Sequence, residues 1–97
     1  MFKELDPLLH SQLRLALMSL LVGVEEADFT YLRERTGATA GNLSVQLDKL
    51  NEAGYIAVEK TFQGKMPRTL CRVTPCGIEA LDEYVHALQT YLNLKSK

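Results

Sequence analysis

The chain has 97 residues, of which 46% are hydrophobic and 24% are charged, and its formal net charge is −1. This length and composition predict one folded globular domain over residues 1–97. A charge so close to zero excludes a uniformly basic, histone-like protein, although a local basic surface can still bind nucleic acid.

No apolar run approaches the roughly 20 residues that a membrane span needs, and the start of the chain has no signal-peptide pattern. Only two cysteines occur, which fits a reducing compartment better than a disulfide scaffold. We therefore expect a cytoplasmic protein that has no membrane partner.

The first predicted helix begins at Asp6 and Pro7, because an N-cap acid followed by proline is a helix-start signal. Apolar residues at helical spacing continue it to Gly23, which is predicted to end it. Leu8 and Leu15 belong to a second apolar stripe on this helix. A helix that is apolar on two sides is usually buried on both, so a partner chain is expected to cover the second stripe.

Two further helices are predicted after an acidic connector, with a turn of about three residues between them. Thr30 is predicted to cap the first of these helices, and Gly37 is predicted to end it. Thr39 is predicted to cap the next helix, and Gly54 is predicted to end it. Two helices joined by a short turn that contains glycine, here over residues of about 30–53, form the helix-turn-helix signature.

The apolar pattern then changes from helical to alternating, which predicts a β-hairpin over residues of about 55–74. Its loop, QGKMP, is expected to be longer than a two-residue turn. A short strand near residues 28–30 would add a third strand, and three strands are more stable than an isolated hairpin.

Thr74 and Pro75 begin a last predicted helix, over residues of about 75–93, by the same combination of cap and proline. Its apolar residues alternate at spacings of three and four, as in a coiled-coil seam, and two tyrosines flank them. The seam consists of Ile78, Leu81, Val85, Leu88 and Leu92, and the flanking residues are Tyr84 and Tyr91. The predicted fold class is therefore α+β and mainly α, in the order α-α-α-β-β-α, with a C-terminal dimerisation helix.

The residues that could carry catalysis do not converge on a site. His10 and His86 lie in different helices without a matching acidic or cysteine cluster, and no phosphate-binding loop or metalloprotease motif occurs. Cys71 and Cys76 are separated by four residues with no histidine nearby, which is a poor zinc pattern. We expect no enzyme activity, cofactor or metal, and we interpret both cysteines as small buried or half-buried hydrophobes, with a redox switch as the alternative.

The outward face of the third helix suits contact with DNA. Its first half carries small and polar residues, which allow a helix to enter the major groove. Thr39, Asn42, Ser44 and Gln46 can donate hydrogen bonds to phosphates or base edges, and the amides of Asn and Gln suit adenine. The alternative interpretation is that these residues only cap and solvate the helix.

The hairpin segment KTFQGKMPRTLCR carries four basic residues and no acidic one. Lys65 and Arg68 are expected to project from the hairpin tip, with Gly64 and Pro67 shaping the turn. Basic side chains at this position could hold phosphates or enter a narrow minor groove. The alternative is a loop that is charged only for solubility, although such loops usually mix both signs of charge.

Three motifs, GNLSVQLDKLNEAGYI, KTFQGKMPRT and RVTPCGIEAL, give the chain a resemblance to small, single-domain winged-helix DNA-binding regulators related to the MarR family. The resemblance covers nearly the whole chain. It implies that residues 39–53 are the recognition helix, that residues 55–74 are the wing, and that the first and last helices form a symmetric dimer. Two positions depart from the family pattern, Val45 and Asp48, so the recognition helix is only weakly basic.

Carried over by position, the resemblance places Asn42, Ser44 and Lys49 towards the DNA groove and Lys65, Pro67, Arg68 and Thr69 in the wing. The sequence thus predicts a homodimeric transcriptional regulator that binds double-stranded DNA at a pseudo-palindromic site. The predicted DNA-binding residues are Thr39, Asn42, Ser44, Gln46, Lys49, Lys60, Lys65, Arg68, Thr69 and Arg72. The predicted dimer interface consists of Leu8, Leu15, Ile78, Leu81, Tyr84, Val85, Leu88, Tyr91 and Leu92.

Two alternatives accompany this prediction. A winged helix can also serve as a protein-interaction module, which an exposed Val45 and Asp48 on the third helix would favour. A small-molecule effector could occupy an apolar pocket lined by Tyr84 and Tyr91, although apolar stripes at helical spacing usually form a plain dimer core.

Overall fold

The computed structural model describes residues 2–92, and these contain four helices and three strands. In chain order they are α1 (Gln12–Val22), β1 (Ala27–Asp28), α2 (Phe29–Thr36), α3 (Ala40–Glu52), β2 (Ile56–Gln63), β3 (Met66–Val73) and α4 (Pro75–Gln89). The predicted class, α+β and mainly helical, is confirmed, and the elements form a winged helix. The last helix ends at Gln89, earlier than predicted, and residue 93 of the predicted range lies outside the described residues.

The predicted start of the first helix is wrong. Asp6 does cap a turn, since its side-chain Oδ1 accepts a hydrogen bond from the Leu8 backbone N–H at 2.9 Å. The chain then becomes extended at Ser11, which is the N-cap of α1, so the turn does not continue into the helix. This break lets Leu9 enter the core with no exposed surface. The predicted end at Gly23 is confirmed.

The caps of the helix-turn-helix agree with the sequence except at Thr30 and at Gly54, since the C-cap of α3 is Ala53. The Asp28 side chain, not that of Thr30, caps α2 by accepting the Tyr31 N–H. Gly37 ends α2 in the left-handed conformation with φ 73°, where a side chain would be strained. Thr39 caps α3 as predicted, and the left-handed Gly54 follows the last residues of that helix.

The three strands form an antiparallel sheet in the order β1-β3-β2, so the predicted third strand exists, at residues 27–28. In the hairpin, Gln63 pairs with Met66, which leaves a two-residue turn of Gly64 and Lys65. The prediction of a longer loop is therefore wrong. Gly64 has φ 65°, as the first central residue of a type II′ turn requires.

Pro67 lies within β3, where it pairs with Phe62. Next to a two-residue turn, the first strand pair exchanges hydrogen bonds and the following pair does not, so the missing N–H of Pro67 costs the hairpin no bond. On the other side, β1 reaches only Leu70 and Cys71. Strand β3 is central in the sheet, but at Pro67 it has only β2 as a neighbour among the described strands, so a proline is tolerated there.

The core lies between the first three helices and one face of the sheet. Leu17 and Leu21 of α1 meet Leu32 of α2, and none of the three is exposed. The apolar residues of α3 at helical spacing, Leu43, Leu47 and Leu50, are buried in the same cluster. Their burial fixes which side of α3 faces outward.

The two cysteines differ in their surroundings. Cys71 is fully buried in the core, and burial raises the pKa of its thiol to about 11. Cys76 is exposed, so its predicted burial is wrong. The two thiols are free.

In residues 2–92 no helix combines the length and the apolar character that crossing a membrane would take.

A hydrogen bond between Tyr55 and Asp6 ties the N-terminal turn to the junction of α3 and β2. The phenol donates to the Asp6 carboxylate at 2.5 Å, and this bond, with burial and the negative charge, raises the pKa of Tyr55 to about 12. The folded state thus holds the phenol proton more tightly than the unfolded chain, whose tyrosine has an ordinary pKa near 10. The bond's contribution to stability is complete below the lower value and is lost as pH rises through the higher one.

We therefore expect the free energy of unfolding to fall between these two pKa values, and Tyr55→Phe to reduce that fall. Urea unfolding across this pH range measures both effects. Tyr31→Phe is the matched control, since it leaves the bond to Asp6 in place. An equally steep fall in Tyr55→Phe would show that the bond does not contribute to alkaline stability.

Candidate nucleic-acid interface

The exposed face of α3 carries small or polar residues over its first half, apart from Val45, which is 49% exposed. Ala40, Gly41, Asn42 and Ser44 are exposed, and no charged side chain occurs before Asp48. The Thr39 hydroxyl accepts the Asn42 N–H at 3.2 Å, while the other N–H groups of the first turn have no intrahelical acceptor. Such a helix start can approach a DNA backbone closely and can offer N–H donors to a phosphate.

The side chains of Gln46 and Asn42 are held by an arginine from α1. Arg14 donates from Nε to the Leu8 carbonyl at 2.6 Å and from its guanidinium to Gln46 Oε1. Gln46 Nε2 then donates to Asn42 Oδ1 at 2.9 Å. Gln46, predicted as a DNA contact, is only partly exposed and is bonded at both ends of its amide, so it supports Asn42 instead of extending freely towards a ligand.

Strand alternation places one side of the wing next to α3. In the ladder, Lys60 is opposite Thr69, two residues along each strand from the pair of Val58 and the buried Cys71. Side chains two residues apart lie on one face of a sheet. Lys60 and Thr69 therefore extend the core face of the sheet outward, where they line a cleft with Ser44 and Asp48 of α3.

Arg68 and Arg72 lie on the opposite face of the sheet. Arg68 pairs with Asp28 at 3.5 Å. Arg72 pairs with Glu59 at 2.5 Å and with Glu26 at 3.3 Å, and the hydrogen bond to Glu59 raises the pKa of the guanidinium above its ordinary value. The prediction that Arg68 projects from the wing tip is wrong. Met66 and Pro67, predicted as loop residues, belong to strand β3, so Arg68 lies within the strand. The Asp28 carboxylate holds its side chain beside the sheet.

Three lysines on α3 and the wing carry positive charge that no carboxylate in the described part of the chain neutralises. Lys49, Lys60 and Lys65 are exposed, and none of them forms an ion pair within residues 2–92. Lys65 occupies the two-residue turn at the wing tip. The tip also carries Phe62 and Met66, each 69% exposed, so the wing ends in an apolar knob with one positive charge.

The sequence interpretation missed two arginines. Arg14 was not predicted because its contact with Gln46 joins α1 to α3 across 32 positions. Arg35 is exposed near the end of α2 and lines a groove with Asn42, Gln12 and Thr36. The basic pair in the stretch RER, directly before the turn into α3, is the signal that could have identified Arg35.

A second surface, along α4, carries the residues predicted for the dimer interface. Ile78 and Val85 are 48% and 44% exposed, and Tyr91 and Leu92, beyond the helix, are 45% and 54% exposed. Leu8, Leu15, Leu81 and Leu88 are half-buried beside the core. Tyr84 is only 5% exposed and bonds through its hydroxyl to His10 Nδ1 at 3.0 Å, so its predicted place on this surface is wrong.

The two tyrosines suggested as walls of an effector pocket are also differently placed. Tyr84 is buried, while Tyr91 is exposed and stacks on Phe2 with a ring-centroid distance of 4.8 Å. Tyr91 also donates its hydroxyl hydrogen to the Lys3 carbonyl. These two contacts hold the N-terminal segment against the residues that follow α4.

Comparison with known proteins agrees with this geometry. The family model described as winged helix DNA-binding domain matches residues 13–92. An uncharacterized protein of Methanocaldococcus jannaschii is 32% identical over 79 residues, which cover 81% of this chain and 86% of that protein. The family match includes the helix-turn-helix and the wing.

Solved structures show the same fold. A transcriptional regulator homologue from Pyrococcus horikoshii has a TM-score of 0.82 at 24% identity, covering 89% of this chain and 85% of its own. The PadR protein of Bacillus subtilis, solved in complex with operator DNA, has a TM-score of 0.64 at 25% identity, covering 77% of this chain and 47% of its own. With four-fifths of the residues matched by one family model, the chain belongs to the winged helix DNA-binding domain family.

Proposed function

We propose that the protein is a homodimeric transcriptional regulator that binds double-stranded DNA through α3 and the wing. The observation that carries the proposal is the shared side of α3 and the wing, where Ser44 and the wing residues Lys60 and Thr69 line one cleft. A helix of groove size beside a strand that presents Lys60 on the same side matches the shape and charge of a DNA duplex. The structure of PadR with operator DNA supports this use of the fold.

In this proposal, residues at different positions contact different parts of the DNA. Asn42 and Ser44 meet base edges in the major groove, and Lys49, Lys60 and Lys65 meet phosphates. Phosphate contacts position the protein, while base contacts specify the sequence. Arg68 and Arg72 act mainly within the protein, because carboxylates of β1 and β2 and of the adjoining turn already neutralise them.

A test is fluorescence anisotropy of labelled duplex DNA titrated with the protein across a range of salt concentrations. Three lysines in each of two subunits give six phosphate contacts, so the logarithm of affinity should fall with the logarithm of salt with a slope of about −5. A slope of zero, or no binding at low salt, would contradict the proposal.

The dimer is proposed to form through the exposed apolar surface of α4 and the neighbouring part of α1. Ile78, Leu81, Val85 and Leu88 keep the coiled-coil spacing and all retain exposed surface. Small domains rarely leave such a stripe in water without a partner. Two copies joined here would present two recognition helices to a pseudo-palindromic site, with half-sites about 34–36 Å apart.

Val85→Glu is expected to convert the dimer to a monomer, because it places a carboxylate in the centre of the apolar stripe. Sedimentation velocity should show half the wild-type mass, and DNA affinity should fall because one half-site contact is lost. His86→Glu adds the same charge on the polar side of α4 and should leave the dimer intact. If Val85→Glu and His86→Glu both sedimented with the wild-type dimer mass, the interface would not lie on this surface of α4.

A protein-interaction module is the second candidate, and specific side chains favour it. Val45 is 49% exposed on α3, and Phe62 and Met66 form the apolar wing tip. Val45→Ser and Phe62→Ser would leave phosphate contacts in place, so a regulator keeps its salt slope in these variants. A module that binds protein through this surface would show no DNA binding in the wild type.

The proposal also covers the relation to MarR-type regulators, the lack of enzyme activity and the cellular location. A relation to MarR-type regulators is suggested by the motifs around the recognition helix and the wing, and the regulators among the structural neighbours support a non-enzymatic role. A cytoplasmic location follows if the target is chromosomal DNA. The proposal requires no effector.

A further inference from the structure

The three side chains Arg14, Gln46 and Asn42 form a hydrogen-bond relay with a fixed direction. A guanidinium carries donors only, so the Gln46 atom that faces Arg14 must be its carbonyl Oε1. The amide nitrogen of Gln46 is then turned towards Asn42 and needs an acceptor. Asn42 supplies it through Oδ1, 2.9 Å away.

The relay determines what Asn42 displays to the solvent. Its carbonyl oxygen is turned towards Gln46, whose N–H occupies one of the two lone pairs, while its amino group Nδ2 has no hydrogen-bond partner within residues 2–92. Asn42 itself is exposed near the start of α3. The exposed end of the side chain is therefore a hydrogen-bond donor, and the orientation follows from the chemistry of Arg14 and not from the choice of amide rotamer.

This direction matters for base recognition. A bidentate contact with adenine needs the asparagine oxygen for the adenine N6 amino group and the nitrogen for N7. Acceptors in the major groove are presented by guanine at N7 and O6, by adenine at N7 and by thymine at O4. Guanine is the base that presents two acceptors and no amino group there, so it is the best match for an outward Asn42 amino group. Cytosine presents a donor there, which would face the Asn42 amino group unfavourably.

We propose that Arg14 is a specificity-determining residue that acts through Gln46 to make Asn42 a hydrogen-bond donor, which selects guanine at its position in the binding site. The inference rests on the proposed function, since it needs α3 in the major groove. It differs from the adenine preference that asparagine in isolation suggests. Arg14 acts from α1, outside the helix-turn-helix, where its Nε is anchored on the Leu8 carbonyl.

Gln46→Glu is the informative variant. The new carboxylate still accepts from Arg14 but has no hydrogen to give, so the Asn42 amide should rotate and donate its own N–H group to that carboxylate. The outward atom of Asn42 becomes Oδ1, an acceptor. Asn51→Asp adds the same charge at an exposed position of α3 away from the relay and controls for the loss of general affinity.

The experiment is selection of bound sequences from random duplex DNA with wild type, Gln46→Glu, Asn51→Asp and Arg14→Met, followed by competition between duplexes that differ at one base pair. The Asn42 position is the one whose preference disappears in Asn42→Ala. We expect wild type and Asn51→Asp to prefer guanine there by at least about fivefold. Gln46→Glu should change the preference to a base with an exposed amino group, and Arg14→Met should weaken it.

The outcomes separate the two proposals. Preference for any base other than guanine in the wild type, or an unchanged preference in both Gln46→Glu and Arg14→Met, would overturn the relay while DNA binding stands. Failure of the wild type to bind any duplex would overturn the proposed function, and the relay with it. Thermal unfolding of each variant verifies that it is folded.

Discussion

Replacing Gly77 by alanine is expected to destabilise the protein by roughly 3 kcal/mol, at the upper end of the range for overpacking. A Cβ at this position would lie 2.1 Å from the Tyr55 carbonyl oxygen and 2.9 Å from its carbon. Both are backbone atoms, which cannot move aside as a flexible side chain can. The melting temperature should fall by more than about 10 °C, as thermal unfolding followed by circular dichroism would measure.

The cost is large because the start of α4 is docked on this backbone. The Tyr55 carbonyl accepts the Thr74 N–H at 3.0 Å, and the Thr74 hydroxyl donates to the Gly54 carbonyl at 2.6 Å. The same hydroxyl caps α4 by accepting the Gly77 N–H. Moving α4 away to admit a methyl group would stretch these bonds together.

Gly41→Ala is the matched control, because Gly41 lies at a similar position near the start of a helix and a Cβ there meets nothing within 4 Å. It should leave stability unchanged or raise it by up to about 1 kcal/mol, as alanine is the better helix former. Equal stabilities for Gly77→Ala and the wild type would show that α4 does not approach Tyr55 this closely.

The double variant Lys60→Ala/Lys65→Ala is expected to lose most of the salt dependence of DNA binding. It removes four of the six proposed phosphate contacts of a dimer, so the slope should change from about −5 to about −2. Affinity near 0.1 M salt should fall by more than about 100-fold. Anisotropy titrations at several salt concentrations measure both quantities.

Arg68→Ala/Arg72→Ala removes the same charge from the other face of the sheet and is the control. Those arginines neutralise Asp28, Glu26 and Glu59, so their loss should lower affinity by less than about tenfold and leave the slope near its wild-type value. If the salt slope became shallower in the arginine variant but stayed at its wild-type value in the lysine variant, the face of the wing that carries Arg68 and Arg72 would be the one that contacts DNA.

The sequence was sufficient to predict the order of the elements. Proline at the start of α4, glycine after α2 and α3, and threonine before α3 and α4 are local signals that need no knowledge of distant residues. The start of α1 could not be read in the same way. Asp6 and Pro7 do form a capped turn, but the burial of Leu9 breaks the helix there, and burial depends on the rest of the fold.

The charges of the wing show the same limit. The segment from Lys60 to Arg72 contains no acid, which suggested four free cations. In the fold, Asp28 and Glu26 come from β1 and the turn before it, and Glu59 from the partner strand. The pairing register of the strands determines which basic side chains these acids can reach. That register depends on the length of the turn, which Gly64 and Pro67 in the sequence did not determine.

In the proposed function, two copies of this chain recognise a symmetric DNA site with α3 and the wing. Selection of bound sequences from random duplex DNA with the purified wild-type protein tests it most directly. We expect a pseudo-palindromic consensus with half-site centres about 10–10.5 base pairs apart, one turn of the duplex. Recovery of no enriched sequence, or of a single unsymmetrical half-site, would contradict it.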